Sequence, residues 1–263
     1  MFEFHKNKPK YFEHQYLTAR DHILPFVEQD VTLGEGTRVL EIGCAEAGVL
    51  KAFVEKGCSC VGIELRDHRV ELAREFQPEA VASGQLKFIV SDIYDIDVDK
   101  DLDDRFDRIV LKDVIEHIHE QEKIMQELKR FLRPGGKIFF GFPPWYMPYG
   151  GHQQVCRNRL AARLPYYHLL PTFLYRAVLK AFGEDAQKQE SLLEIKETGI
   201  SIERFERICR ELNYSIDRRR YWLFNPIYRF KFGLKPRKQW GPITYIPWFR
   251  DFVTTAVYYT IHP

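Results

Sequence analysis

The stretch Val39-Leu40-Glu41-Ile42-Gly43-Cys44-Ala45-Glu46-Ala47-Gly48-Val49-Leu50 constrains this chain more than any other. An apolar run from Arg38 to Ile42 stops at small residues, and helical spacing begins straight after them. That order predicts a strand turning sharply into a helix at the edge of a parallel sheet. Such a turn gathers backbone N–H groups and a helix N-terminus at one point, where a polar or anionic part of a ligand can sit. A dinucleotide-binding turn would carry Gly-x-Gly-x-x-Gly, whereas here alanine stands at 45 and 47. Small side chains still permit close backbone approach, although alanine resists positive φ.

Downstream, apolar runs alternate with helical patterns. Strands are expected at 38–42, 60–64, 86–90, 106–111, 137–142, 214–222 and 252–262. Helices are expected at 49–56, at 67–76 with Asp67 as N-cap, and at 116–132, stopped by Pro134-Gly135-Gly136. The alternation predicts an α/β fold, a Rossmann-like seven-stranded, mostly parallel sheet with helices on both faces. Residues 1–36 read as an N-terminal helical cap, interrupted at Pro25. Residues 37–144 and 201–263 read as the core, and the aromatic, proline-punctuated residues 145–200 as an inserted helical lid. Residues 223–251 form a long connection of the kind usually given to binding loops.

Bulk properties narrow the function. A net charge of +2 argues against a general nucleic-acid binder, yet nine basic residues and no acid lie between Arg218 and Arg250. That run suits single-stranded RNA, a phosphate-bearing carrier at a membrane surface, or a solvated edge protected from aggregation. No apolar run approaches the roughly 18–20 residues of a membrane span, and Met1–Lys6 lacks a signal-peptide core. A cytoplasmic protein is expected. Five cysteines without a paired CxxC read as free thiols, and no metal site is expected from them.

Three further positions fall at strand ends beside the first turn. Glu64 follows strand two, about 20 residues on, where an acid can hold ribose hydroxyls. Asp92 follows strand three, where a carboxylate can accept from an adenine amino group. Lys112 and Asp113 follow strand four.

With these pieces in the order Val39–Gly48, Val61–Glu64, Val90–Ile93, Phe106–Ile118 and Leu132–Lys137, the chain resembles class I S-adenosylmethionine-dependent methyltransferases. The resemblance covers residues 37–142 and implies an antiparallel last strand. It implies that Glu41 and the backbone of Gly43, Cys44 and Ala45 hold the methionine end of the cofactor. Glu64 would hold the ribose, Asp92 and Ile93 the adenine, and Leu65 would also touch the cofactor. Lys112, Asp113 and His117 would lie beside the methionine or the substrate, and Arg20, from the N-terminal helix, would meet the cofactor carboxylate. The product would be S-adenosylhomocysteine.

Methyl transfer needs a nucleophile held in line and water excluded. His117 and His152 are the candidates for a base; packing or capping for His117, and an ordinary surface loop for His152, are the alternatives. The expected acceptor is a small molecule or glycan, methylated at oxygen, with a membrane-linked acceptor possible. An RNA methyltransferase and a non-catalytic cofactor-binding module are the rival readings.

Overall fold

A computed structural model of the protein describes residues 7–29 and 31–263; the Met1–Lys6 tail discussed above lies outside them. Eight strands form one sheet: β1 (Arg38–Ile42), β2 (Ser59–Glu64), β3 (Leu86–Val90), β4 (Phe106–Lys112), β5 (Leu132–Phe142), β6 (Ser215–Phe224), β7 (Arg237–Lys238) and β8 (Ala256–His262). Their order is β3-β2-β1-β4-β5-β8-β6-β7. The first five are parallel, and β8 lies antiparallel between β5 and β6. The sheet is thus Rossmann-like, as expected, with one strand more than the seven predicted. The extra one, β7, sets Lys238 against Trp222 and Arg237 against Phe224. A two-residue pairing in a basic segment has no alternation to betray it.

Successive strand residues point to opposite faces, so each apolar run feeds two cores. Leu40, Ile109, Phe140 and Tyr259 go to one; Val39, Val110, Phe139 and Tyr258 go to the other. This explains why the strands read as continuous apolar runs. On the second face Phe26 meets Phe139 and Tyr258 edge-on, with ring centroids 6.0 and 5.9 Å away.

Three boundaries differ from expectation. The helix expected at 116–132 is broken into a short turn at Ile115–His117, a helix at Gln121–Glu127 and a tighter turn at Leu128–Phe131. The break is fixed from outside the segment, because buried Gln121 donates through Nε2 to the carbonyls of Ile115 and Thr198. Strand β5 begins at Leu132, opposite Phe106, and a register shift carries it past Pro134-Gly135-Gly136 before Lys137 pairs with Arg108. The last strand starts only at Ala256, after a one-turn helix at Phe249–Phe252 whose buried Asp251 accepts from the Ile202 amide at 2.9 Å.

At the N-terminus, the helix Lys8–Thr18 passes through a wide turn at Ala19–Ile23 into Leu24–Val27. Pro25, which has no N–H, sits in the first turn of that last piece. This helix lies directly on the helix Gly48–Glu55. A Cβ on Gly48 would stand 2.5 Å from the Phe12 carbonyl, and the Tyr16 hydroxyl donates to Glu55 at 2.6 Å. Between β5 and the helix Ile202–Glu211, helices Thr172–Ala181 and Ala186–Thr198 share a small core of Cys156, Tyr167, Tyr175, Leu179, Leu192 and Leu193. Among the described residues, no helix is long and apolar enough to cross a membrane.

Candidate active site

The turn after β1 continues the sheet for two residues: the amides of Gly43 and Cys44 both donate to the Ile63 carbonyl, at 2.8 and 3.1 Å. The chain then enters the left-handed region at Gly43 (φ +65°), Ala45 (+50°) and Ala47 (+59°). Both alanines adopt the glycine-like conformation that a Cβ disfavours. Gly43 cannot carry a side chain, since a Cβ would lie 2.8 Å from Val114 Cγ2.

A cavity of about 390 Å³ opens beside this turn, at the carboxyl ends of β1 to β4. Gly43, Glu64, Leu65, Asp92, Ile93 and Asp113 are on its wall, together with His117. The Glu64 carboxylate is fixed by two backbone donors, Ala45 N at 2.9 Å and Arg66 N at 3.1 Å. Asp92 caps the turn that follows it, with Oδ1 accepting from Tyr94 N at 3.1 Å. Leu65 is 68% exposed, an apolar side chain left bare at the cavity mouth.

A second cavity of about 240 Å³ adjoins the first, and Asp113 and His117 belong to both walls. Its remaining wall comes from distant parts of the chain: Tyr11 from the N-terminal helix, Met147, Tyr149 and His152 from the segment after β5, and Asn225, Tyr228 and Lys231 from the connection after β6. Asp113 sits at φ +56°, its amide donating to the Gly141 carbonyl at 2.7 Å and its carboxylate paired with buried Lys112. Burial works to raise the Asp113 pKa, but Lys112, Lys231 and His152 outweigh it and hold it below the ordinary carboxylate range. Burial raises Glu116 well above its usual range, and the Asp113 charge adds to this. Burial pushes Lys231 down to about 8, against the pull of Asp113. The imidazoles of His117 and His152 meet edge-on, centroids 5.0 Å apart.

The expected residues are therefore distributed unevenly. Gly43, Glu64, Leu65, Asp92, Ile93, Asp113, His117 and His152 line the two cavities. Glu41, Cys44, Ala45 and Lys112 stand behind these walls. Glu41 is buried, and its pKa is raised well above the ordinary value mainly by burial; Ala45 orients Glu64, and Lys112 orients Asp113. Arg20 reaches neither cavity: it pairs with Asp21 at 2.8 Å and lies over the Tyr16 ring. Tyr11, Glu116, Tyr149, Asn225, Tyr228 and Lys231 were not expected. Glu116 lay within the Asp113-Val114-Ile115-Glu116-His117 run and Lys231 within the basic run, but nothing local marks the others.

This sheet order, with a bare-glycine turn, an acid after β2 and another after β3, defines a class I S-adenosylmethionine-dependent methyltransferase. Residues 11–163 match the family model described as a methyltransferase domain, and the chain belongs to that family. It is 25% identical over 207 residues to a ubiquinone biosynthesis O-methyltransferase of Leptothrix cholodnii, covering 76% of this chain and 77% of that one. Two solved structures are similar in fold. A putative sarcosine dimethylglycine methyltransferase from Galdieria sulphuraria has a TM-score of 0.58 at 14% identity, covering 93% of this chain and 85% of that one. A magnesium protoporphyrin IX methyltransferase from Synechocystis has a TM-score of 0.56 at 13% identity, covering 99% and 88%.

The residues present fit S-adenosylmethionine as the cofactor. The backbone is bare at Gly43, the prefixed Glu64 carboxylate keeps further lone pairs for hydroxyls, and Leu65 and Ile93 supply apolar surface for a base.

Proposed function

We propose that the second cavity holds a small-molecule acceptor and that the reaction is methylation of one of its hydroxyl oxygens. One observation carries this reading: the two cavities share Asp113 and His117, so an acceptor in one faces the methyl donor in the other. When bound, S-adenosylmethionine supplies an electrophilic methyl group, and the chain's own task is alignment, water exclusion and removal of the hydroxyl proton. Tyr11, Tyr149 and Tyr228 enclose the acceptor, and the 145–200 insert acts as its lid. His117 and His152 activate the hydroxyl. The relative from Leptothrix, named for O-methylation in ubiquinone biosynthesis, supports oxygen as the accepting atom.

An exposed aromatic surface on the connection after β6 favours a lipid-linked acceptor over RNA. Trp240, Tyr245 and Trp248 are 69%, 81% and 59% exposed, a surface suited to a membrane interface next to Arg237 and Lys238. Much of the remaining basic run is spent on packing: Arg219 and Arg250 pair with Glu206, and Arg220 lies over Phe26. Five buried free thiols suit a reducing, cytoplasmic setting.

Calorimetry with S-adenosylmethionine and transfer of labelled methyl into fractionated extract test the reading together. Binding lost in Asp92→Ala, with label in the organic-extractable fraction, is the expected result. Label in RNA would assign a different acceptor, and label nowhere would leave a binding module. His117→Ala and His152→Ala should each lower kcat by roughly 10²–10⁴-fold.

A further inference from the structure

Glu116 is 3% exposed, yet neither of its carboxylate oxygens has a hydrogen-bond partner, and it faces the acceptor cavity. A buried carboxylate is ordinarily matched by a donor or a cation, and an unmatched one is costly to keep. His117 and His152 stand around it: one ligand atom from each of the three residues lies within 4.8 Å of the others. The three converge from two places in the chain, the turn after β4 and the segment after β5, which marks an assembled cluster and not an accident of neighbouring sequence.

We propose that Glu116, His117 and His152 bind one divalent cation, which holds and ionises the acceptor hydroxyl. A carboxylate and two imidazoles form a mixed oxygen–nitrogen set suited to zinc or another first-row divalent ion. Three protein ligands leave coordination positions open toward the cavity for the acceptor oxygen. On binding, that hydroxyl loses its proton to solvent, because the cation stabilises the oxyanion. The oxyanion then forms the new C–O bond at the methyl carbon while the C–S bond breaks, its electron pair returning to sulfur. Asp113 lies outside the set, since its carboxylate is already paired with Lys112. The two histidines thereby act as ligands that present the nucleophile, with the cation taking the role of the base. The catalytic half of this inference rests on the O-methylation reading; the binding site itself does not.

The test is spectroscopic. Protein stripped with a chelator is titrated with Co²⁺, and visible absorption is followed, with Zn²⁺ used in competition. One equivalent per chain is expected, with affinity falling at least tenfold in Glu116→Gln, His117→Gln and His152→Gln. His117 is on the surface, so its variant stays informative if Glu116→Gln does not fold. Asp92→Ala should keep cobalt binding while losing S-adenosylmethionine, which separates failure of the metal site from failure of the cofactor reading. No saturable cobalt signal in the wild type, or wild-type affinity retained in His117→Gln and His152→Gln, would overturn the site. A full cobalt site with methyl transfer unchanged after chelation would overturn its role.

Discussion

At the scale of single residues, the first turn shows how backbone conformation decides what a position tolerates. Ala47 holds a left-handed conformation that costs an L-residue about 1–2 kcal/mol. Ala47→Gly relieves this strain but removes a buried methyl worth about 0.8 kcal/mol and loosens the unfolded chain by about 0.5–1 kcal/mol. The two sides nearly cancel, so chemical denaturation should place Ala47→Gly within about 1 kcal/mol of wild type. Gly43→Ala has no such compensation. It adds left-handed strain and a 2.8 Å contact with the stiff Val114 side chain. A loss of about 2–4 kcal/mol is expected, with weakened binding of S-adenosylmethionine; a wild-type melting point in this variant would contradict the turn geometry. The sequence left the shape of this loop open, because alanines at 45 and 47 are compatible with several paths. Only the fit of the turn against Val114 and Ile63 selects one.

His168 gives a second case at this scale. Its Nε2 donates to the Trp145 carbonyl at 2.9 Å, and its Nδ1 accepts from Gln153 Nε2 at 3.2 Å, so the neutral ring is required. Burial, reinforced by Lys196, lowers its pKa to about 4 although the Trp145 carbonyl opposes the shift. The folded value lies below the ordinary 6.5, so the unfolded chain takes up the proton first. Above pH 6.5 the residue contributes no pH dependence; from there down to 4 the folded state loses up to about 3 kcal/mol. Urea midpoints measured between these pH values should fall, and fall less steeply in His168→Gln. Identical slopes in the two proteins would show that His168 is not held neutral.

Among elements, the last third of the chain is joined by one buried charge. Glu206, on the helix Ile202–Glu211, accepts from Tyr221 of β6 at 3.1 Å and from Tyr259 of β8 at 2.9 Å. Arg250 closes the cluster, donating to the same carboxylate at 2.9 Å and to the Tyr221 hydroxyl at 3.0 Å. Glu206→Gln leaves Arg250 with fewer acceptors in a dry setting, and a loss of about 3 kcal/mol is expected in equilibrium unfolding. Because the cluster is buried, the loss should persist in 1 M salt, where surface pairs are screened. This junction also marks where legibility ended. Strands β1 to β4 were readable, since short apolar runs bounded by glycine and acids carry their own signal. The break before Gln121 and the late start of β8 were not, because Thr198 and Asp251 impose them from far along the chain. Gly43, Glu64 and Asp92, expected for the cofactor, fall on one cavity wall because they sit at strand ends. The acceptor side draws Tyr11, Lys231 and Asn225 from segments with no periodic mark, so only the folded chain brings them together.

For the molecule as a whole, the wall shared by the two cavities sets the order of events in turnover. On the proposed assignment of the two cavities, Asp113 and His117 lie against both donor and acceptor, so the two are neighbours and no step needs the enzyme to carry the methyl group itself. Both ligands must be present at once. Initial rates measured while both concentrations vary should give intersecting double-reciprocal lines, whereas parallel lines would reveal a methylated enzyme intermediate. A single direct displacement also inverts the migrating carbon, so a methyl made chiral with hydrogen isotopes should reach the product in mirror-image arrangement.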